Sequence, residues 1–230
     1  MRIIMVIERK HLFPHLSPRG FLPPDSIDLD TLTPHLFFAE RDYMEANAHF
    51  KQVIPYLILQ RGHHEQKRVL AYQRRVSHSE IRLGGLWSVG FGGHIEPLDR
   101  ADPKIASLDL LQAAALRELA EETGLDLDAQ ALQQVGYINS DQDEVSSVHF
   151  GVVYLVDLKT YPADDEEILQ IVSRQAEPYQ ARWLTPAELR VQVAPGNGPD
   201  GGTFEDWSHI TIAGLYAGDT LNTRIKESTA

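Results

Sequence analysis

The sequence predicts an α/β (α+β) protein in which a mixed central β-sheet is combined with a few helices. Its 230 residues are 43% hydrophobic and 23% charged, which fits an ordinary soluble globular protein. Apolar runs of strand length recur through the middle of the chain, bounded by turn residues. They lie at residues 52–59, 69–72, 86–91, 132–138 and 148–158. A segment of helical character interrupts them at residues 108–122, so one chain carries both kinds of element.

The ends of the chain are predicted to add a strand, irregular chain and further helix. Residues 1–7 indicate a strand, because this apolar run is too short for a membrane helix and lacks a signal-peptide cleavage site. Residues 11–35, rich in proline and histidine, indicate irregular surface chain. A short strand at 182–184 leads into Thr185 and Pro186, a cap and first-turn proline typical of a helix start. A loop and a last helix are predicted at residues 193–203 and 205–217, before a polar tail.

The helix predicted at residues 108–122 has recognisable signals at both ends. Asp109, with Gln112 three residues later, resembles a capping box, and Ser107 is an equally good N-cap. Gly124 follows the last turn, where glycine ends many helices.

The last turns of this helix carry three glutamates, Glu118, Glu121 and Glu122. Side chains one turn apart lie on the same side of a helix, so these carboxylates converge. Like charges at this spacing cost about 0.2–0.5 kcal/mol per pair, and the C-terminal end of a helix favours cations. A compensating charge is therefore expected, and a divalent metal ion is the predicted one.

Composition excludes several classes of function. The formal net charge of −12 argues against non-specific binding to nucleic acid or to an anionic membrane. Cysteine is absent, which excludes disulfides, a thiolate nucleophile and a thiolate metal site. No apolar run approaches the length of about 18 residues that indicates a membrane helix. A cytoplasmic location is the expectation.

The residues from Arg117 to Leu125, Arg-Glu-Leu-Ala-Glu-Glu-Thr-Gly-Leu, resemble the second half of the Nudix box, G-x5-E-x7-R-E-U-x-E-E-x-G-U, where U is a bulky aliphatic residue. The stretch Gly92-Gly93-His94-Ile95-Glu96 is similar to its first half. The resemblance implies a Nudix-type α/β/α sandwich with a mixed central sheet. It covers residues 51–190, which leaves an N-terminal extension at 1–50 and a loop, helix and polar tail at 191–230.

The first half of the box departs from the family pattern. Between Gly93 and Arg117 the chain has about ten residues more than the standard box. Counted back from Arg117, the first glutamate of the box falls on Asp109, a shorter acid that serves equally well as a helix cap. With Gly93 as the box glycine, the added residues fall within residues 97–107.

The resemblance also implies a chemistry. Nudix enzymes hydrolyse nucleoside diphosphates linked to another group, with Mg²⁺ or Mn²⁺ as cofactor. By motif position, Glu118, Glu121 and Glu122 would bind the metal, and the backbone carbonyl of Gly93 would be a further ligand. Arg117 would hold a carboxylate in place, with Glu121 one turn on as the expected partner.

The general base varies within the family between the box helix and a later loop. Glu177, six residues before Trp183, resembles a glutamate that in some members precedes a tryptophan-bearing strand and reaches the metals. The catalytic candidates are therefore Glu121, Arg117 and Glu177. Other acids remain as alternatives for the base: Glu144, Glu166 and Glu167. His94 is a candidate for substrate binding and, with Arg117, a nearby cation.

The predicted function is metal-dependent hydrolysis of a phosphoanhydride bond in a nucleotide-type small molecule. The alternative is a Nudix-fold ligand-binding or sensor protein with weak catalysis. An isomerase of the isopentenyl diphosphate type needs a catalytic cysteine and is set aside. The stretch at residues 52–95 is also similar to a bacterial branch of predicted phosphoesterases, a description that names no substrate. Nudix proteins are often dimers, which favours a homodimer.

Overall fold

The computed structural model describes residues 1–63, 66–76, 83–100, 110–175 and 178–217. Its strands are β1 (Ile3–Glu8), β2 (Gly20–Leu22), β3 (Leu36–Glu40), β4 (Phe50–Arg61), β5 (Arg68–Arg74), β6 (Trp87–Ser88), β7 (Phe91–Gly92), β8 (Leu132–Asn139), β9 (His149–Asp157) and β10 (Pro178–Leu184). Its α-helices are α1 (Arg9–Leu12), α2 (Leu29–Leu32), α3 (Arg41–Glu45), α4 (Leu110–Thr123), α5 (Glu144–Val148), α6 (Asp165–Ser173), α7 (Pro186–Gln192) and α8 (Asp206–Tyr216).

The strands form one mixed sheet, with the main order β10-β5-β4-β9-β8-β2. The central pair β4 and β9 is parallel, and β8 and β5 run antiparallel to these two strands. β1 pairs with β4 and also with β3. β6 pairs with β5, and β7 pairs with β4. Strands in the middle of such a sheet are buried on both faces, which explains the nearly continuous apolar runs of β4 and β9.

Helices cover both faces of the sheet, and each face has its own hydrophobic core. One core joins alternate residues of the central strands to α4 and α6, with Leu57, Leu119 and Ile168 among its members. The other core joins the opposite face to α7 and α8, through residues such as Ile58 and Ile212. The alternation of Leu57 and Ile58 between the two cores follows from the two-residue period of a strand. The predicted fold class is confirmed.

Several predicted elements are present, and others differ. The strand expected at residues 1–7 is β1, and Thr185 begins α7 with a capping box. The region 11–35 is more ordered than predicted, because β2 pairs with β8 along residues 20–22. Helix α6 was not predicted from the sequence, although it begins with a capping box formed by Asp164 and Glu167.

A buried ion cluster fastens the N-terminal elements to the sheet. Lys51, fully buried at the start of β4, donates from Nζ to Asp141 Oδ1 at 3.0 Å and to two backbone carbonyls. Arg9 in α1 donates to both oxygens of Asp141, each at 2.8 Å. Burial lowers the pKa of Lys51 to about 8. Burial alone would raise the pKa of Asp141, but the hydrogen bonds from Arg9 and Lys51 outweigh it and lower the value to about 2.

No helix in the described ranges has both the length and the apolar character needed to cross a membrane.

The substitution Asp141→Asn should lower the free energy of unfolding by about 3–5 kcal/mol at pH 7, because it leaves the buried Lys51 ammonium without its anion. The folded-state pKa of Asp141 lies below its ordinary value of 3.8. Its contribution to stability is therefore present above pH 3.8 and is lost as the pH falls toward 2. Urea denaturation at pH 7 and between pH 4 and 2 measures both effects.

The double variant Asp141→Asn with Lys51→Met is the control, and it should recover part of the loss because no buried ammonium is left unpaired. Arg9 also loses its anion, but its side chain is 25% exposed and keeps its hydrogen bonds to the carbonyls of Ala48 and Ser147. Equal stability of the wild type and Asp141→Asn across this pH range would refute the role of the cluster.

Candidate active site

The candidate site begins where β7 ends at Gly92 and the chain continues alongside α4. A Cβ atom at Gly93 would fall on the carboxylate of Glu118, so this carboxylate packs directly against the Gly93 backbone. A Cβ atom at Gly92 would lie 2.5 Å from the carbonyl oxygen of Pro55. Both positions need glycine because other groups approach the backbone so closely. The glycine pair thus brings the strand end and the acidic helix together.

The position of α4 follows from small residues and a defined end. Ala113, Ala114 and Ala115 are buried, which lets the helix lie close to the sheet. Gly124, with φ of +72°, ends the helix in the left-handed conformation, and its N–H donates to the carbonyl of Ala120 at 2.9 Å. The acidic last turns are consequently held at one place beside the glycine pair.

The guanidinium of Arg117 is the centre of the hydrogen-bond network in the site. Its Nε donates to Asp99 Oδ1 at 2.5 Å, and its Nη2 donates to Asp99 Oδ2 at 3.2 Å. Its Nη1 donates to Glu118 Oε1 at 2.8 Å and to Glu121 Oε2 at 3.1 Å. Nη2 also donates to the carbonyl oxygen of His94 at 2.8 Å. One planar side chain therefore ties α4 to the segment that follows β7.

Asp99 is a site residue that the sequence analysis missed. It lies in a 3₁₀ turn, Pro97–Arg100, where it is 1% exposed and its Oδ2 accepts the N–H of Glu96 at 2.7 Å. Asp99 could have been found by counting forward from Gly93 along the Nudix box. It is the sixth residue after Gly93, and the box places its first acid at that spacing. In this register, the added residues lie between Asp99 and the helix.

Burial and charge act against each other at the centre of the site. Burial raises the pKa of the Glu118 carboxyl, and the neighbouring Arg117 offsets this only in part. For Arg117, burial alone would lower the pKa, but the hydrogen bond to Asp99 and the charge of Glu118 raise it instead. Arg117 therefore stays charged, while Glu118 is a partly dehydrated carboxylate that a further cation would stabilise.

His94 does not supply a cation to the site. Burial, together with the nearby charges of Arg41 and His149, lowers the pKa of its imidazole to about 3. The ring is neutral at pH 7, and its Nε2 lies 2.7 Å from Oε1 of the buried Gln52. The neutral ring argues against His94 as a cation beside the glycine pair, and its candidate role in substrate binding stays a prediction.

The structure brings some of the predicted site residues together and leaves others outside its description. The side chain of Glu121 is 58% exposed, and Glu122 is half-buried beside it. Asp109 and Glu177 lie outside the described residues. Within the described part of the chain, no three carboxylate or imidazole groups form a ready cage for a metal ion.

The alternative acids for the general base lie at helix starts. Glu144 is the first residue of α5, and Glu166 and Glu167 are in the first turn of α6. Acids there interact favourably with the helix dipole. Glu167 also completes a capping box by accepting the N–H of Asp164 at 2.8 Å, so helix stabilisation accounts for this residue.

Helices on both faces of a mixed sheet, with an acidic helix packed against a glycine pair, define the class of this protein. Comparison with known proteins shows its family. Residues 53–207 match the NUDIX domain. Protein YmaB of Bacillus subtilis (strain 168) is 31% identical over 147 residues, which are 64% of this chain and 65% of YmaB, slightly under two thirds of its length. The crystal structure of Tm1382, a Nudix hydrolase candidate, superposes with a TM-score of 0.64 and 26% identity over 94% of this chain and 98% of that chain.

The chain therefore belongs to the Nudix family. Hydrolases of this family cleave pyrophosphate bonds in general and commonly use divalent metal ions such as Mg²⁺ or Mn²⁺.

Two matched substitutions test which acid supports Arg117. Asp99→Asn should lower the free energy of unfolding by about 3 kcal/mol, because it removes the charge of a buried partner of Arg117. Asp109→Asn should be nearly neutral, since asparagine caps a helix as well as aspartate does. Urea denaturation of both variants at pH 7 measures the difference. The reverse result would return the first acidic position of the box to Asp109.

Proposed function

We propose that this protein catalyses metal-dependent hydrolysis of a phosphoanhydride bond in a nucleoside diphosphate linked to another moiety, with Mg²⁺ or Mn²⁺ as cofactor. The observation that carries this proposal is the network in which Arg117 holds Glu118 and Glu121 together while Glu118 packs on Gly93. Asp99 is proposed to take the position of the first acid of the box.

The donor groups of the site fit a hard divalent cation. Carboxylate and carbonyl oxygens are the ligands that Mg²⁺ prefers, and it keeps several waters rather than a closed protein cage. Glu118, Glu121 and Glu122 would hold the ion together with the Gly93 carbonyl. A bound ion of this kind neutralises the pyrophosphate and lowers the pKa of a bound water.

The side chains of this chain would orient the reacting groups. Arg117, fixed by the buried Asp99, keeps Glu118 and Glu121 in place through charge-assisted hydrogen bonds. The exposed carboxylate of Glu121 is accessible to substrate or water. Glu177 is proposed as the general base. It directly precedes β10, a strand fixed by the Trp183 Nε1 hydrogen bond to the carbonyl of Asp165 at 3.1 Å.

A small nucleotide-type substrate suits this protein better than a nucleic acid does. The net charge of −12 repels polyanions, so a cation has to lie between the protein and a phosphate group. A single pyrophosphate group can be neutralised by the proposed site, whereas a long nucleic acid backbone would meet the remaining acidic surface.

Glu122→Gln should reduce turnover by about 100-fold or more, because it removes a charge that holds the cofactor. The measurement is phosphate or nucleotide release from a panel of nucleoside diphosphate derivatives with Mg²⁺ or Mn²⁺. Asp126→Asn is a matched control, since Asp126 is exposed four residues further along and should leave turnover unchanged. Metal-dependent stabilisation by a compound that is never consumed would contradict hydrolysis and support a ligand-binding protein.

Gly93→Ala should weaken Mn²⁺ binding and turnover by about tenfold or more, with little change in thermal stability. The new methyl group would displace the flexible end of Glu118 rather than the backbone. If both effects pass through this contact, Gly93→Ala combined with Glu118→Gln should bind Mn²⁺ no more weakly than Glu118→Gln alone. Calorimetric titration with Mn²⁺ tests this, and fully additive losses would refute the shared contact.

A further inference from the structure

We propose that Gln52 and His94 form a positioning pair that holds the Gly93 carbonyl where the box carboxylates can share a metal ion with it. This inference rests on the proposed function. Neither residue belongs to the specified positions of the box, and neither contacts the reacting groups in this proposal.

The Gly93 backbone and the His94 side chain contact different parts of the structure. The Gly93 backbone meets the Glu118 carboxylate on the α4 face. The next side chain, His94, is bonded through Nε2 to Oε1 of Gln52 at 2.7 Å. The Gly93 carbonyl and the His94 nitrogen belong to one planar peptide unit. A hydrogen bond that fixes the His94 side chain therefore restricts rotation of this peptide unit and of the Gly93 carbonyl within it.

Gln52 is a rigid anchor because of its place in the sheet. It lies in β4, fully buried, opposite His149 of the parallel neighbour β9. The imidazole of His149 lies beside that of His94, with ring centroids 5.8 Å apart, and is itself bonded through Nδ1 to the carbonyl of Val145 at 2.6 Å. The pair thus connects the centre of the sheet to the segment that leaves β7.

The following residues are held as well, but from other elements. The carbonyl of His94 accepts Arg117 Nη2 at 2.8 Å, and the carbonyl of Ile95 accepts the N–H of Met5 at 2.8 Å. These bonds act on peptide units beyond the one that contains the Gly93 carbonyl. Among the described contacts of this segment, the bond from Gln52 holds the His94 side chain, which is the side chain nearest to the peptide unit of the Gly93 carbonyl.

The burial of Gln52 is costly, which favours a function for it. Its Nε2 is buried and has no hydrogen-bond partner among the described residues. An unsatisfied buried amide destabilises the folded state, and an apolar residue of similar shape would avoid this cost. Among the described residues, the bond to His94 is the one hydrogen bond found for the Gln52 side chain, and it accounts for a glutamine at this position.

The experiment measures Mn²⁺ affinity without substrate, by paramagnetic resonance or calorimetric titration, alongside thermal unfolding, kcat and KM. Gln52→Met keeps the volume and removes the acceptor, and His94→Leu removes the donor. Both should weaken Mn²⁺ binding about 10- to 100-fold, the usual effect of losing a group that orients a metal ligand. Gln52→Met should unfold at the same temperature as the wild type or higher.

A conservative variant and a matched control separate positioning from general packing. His94→Gln restores a nitrogen donor and should recover most of the Mn²⁺ affinity that His94→Leu loses. Thr211→Val is the control, because Thr211 is a buried residue of α8 whose hydroxyl also has no partner among the described residues. It should leave Mn²⁺ affinity unchanged. The two His94 variants keep the test decisive if Gln52→Met does not fold.

The outcomes distinguish this inference from the proposed function. Wild-type Mn²⁺ affinity in both Gln52→Met and His94→Leu, or no recovery in His94→Gln, overturns the positioning role while turnover by the wild type upholds the hydrolase. Loss of Mn²⁺ affinity in the two variants without turnover by the wild type upholds positioning and overturns hydrolysis. A wild type that binds no Mn²⁺ overturns both.

Discussion

The candidate site depends on the partly buried guanidinium of Arg117. A buried cation is tolerable only when anions and carbonyl groups surround it, and Asp99 supplies the buried anion. The same cation restrains Glu118 and Glu121, which would otherwise repel one another at the end of a helix. Arg117 thus offsets part of the electrostatic repulsion among the acids of α4. The carboxylate of Glu118 remains partly dehydrated beside Gly93. The proposed metal ion would be held by that remaining negative charge.

Elements outside the family match support this site. The NUDIX match begins at residue 53, yet β1 donates the Met5 N–H to the carbonyl of Ile95, two residues beyond Gly93. The buried cluster around Asp141 keeps the N-terminal elements attached to β4. The N-terminal segment is therefore part of the scaffold that sets the path of the chain after β7.

Local signals account for what could be predicted. The helix expected at residues 108–122 is α4, Leu110–Thr123. Its C-terminal end could be predicted because it depends on Gly124, the residue that directly follows the helix. The three residues of β2 carry no such signal, since that strand exists through its pairing with β8. The continuous strand predicted at residues 86–91 is two short strands, each paired with a different neighbour. Pairing partners of this kind cannot be read from local composition.

The sequence alone determined the family, the fold class and the acidic helix, since each follows from residues close together in the chain. Tertiary structure decided which acid meets Arg117 and which charge His94 carries. The box spacing selects Asp99 when counted from Gly93 and Asp109 when counted from Arg117, so the sequence leaves two acids open. The fold brings Asp99, 18 residues before Arg117, into contact with that side chain. The neutral state of His94 follows from burial against Gln52, 42 residues earlier. Hydrogen bonds between distant residues and the loss of water around a group are properties of the packed molecule, and no local pattern specifies them.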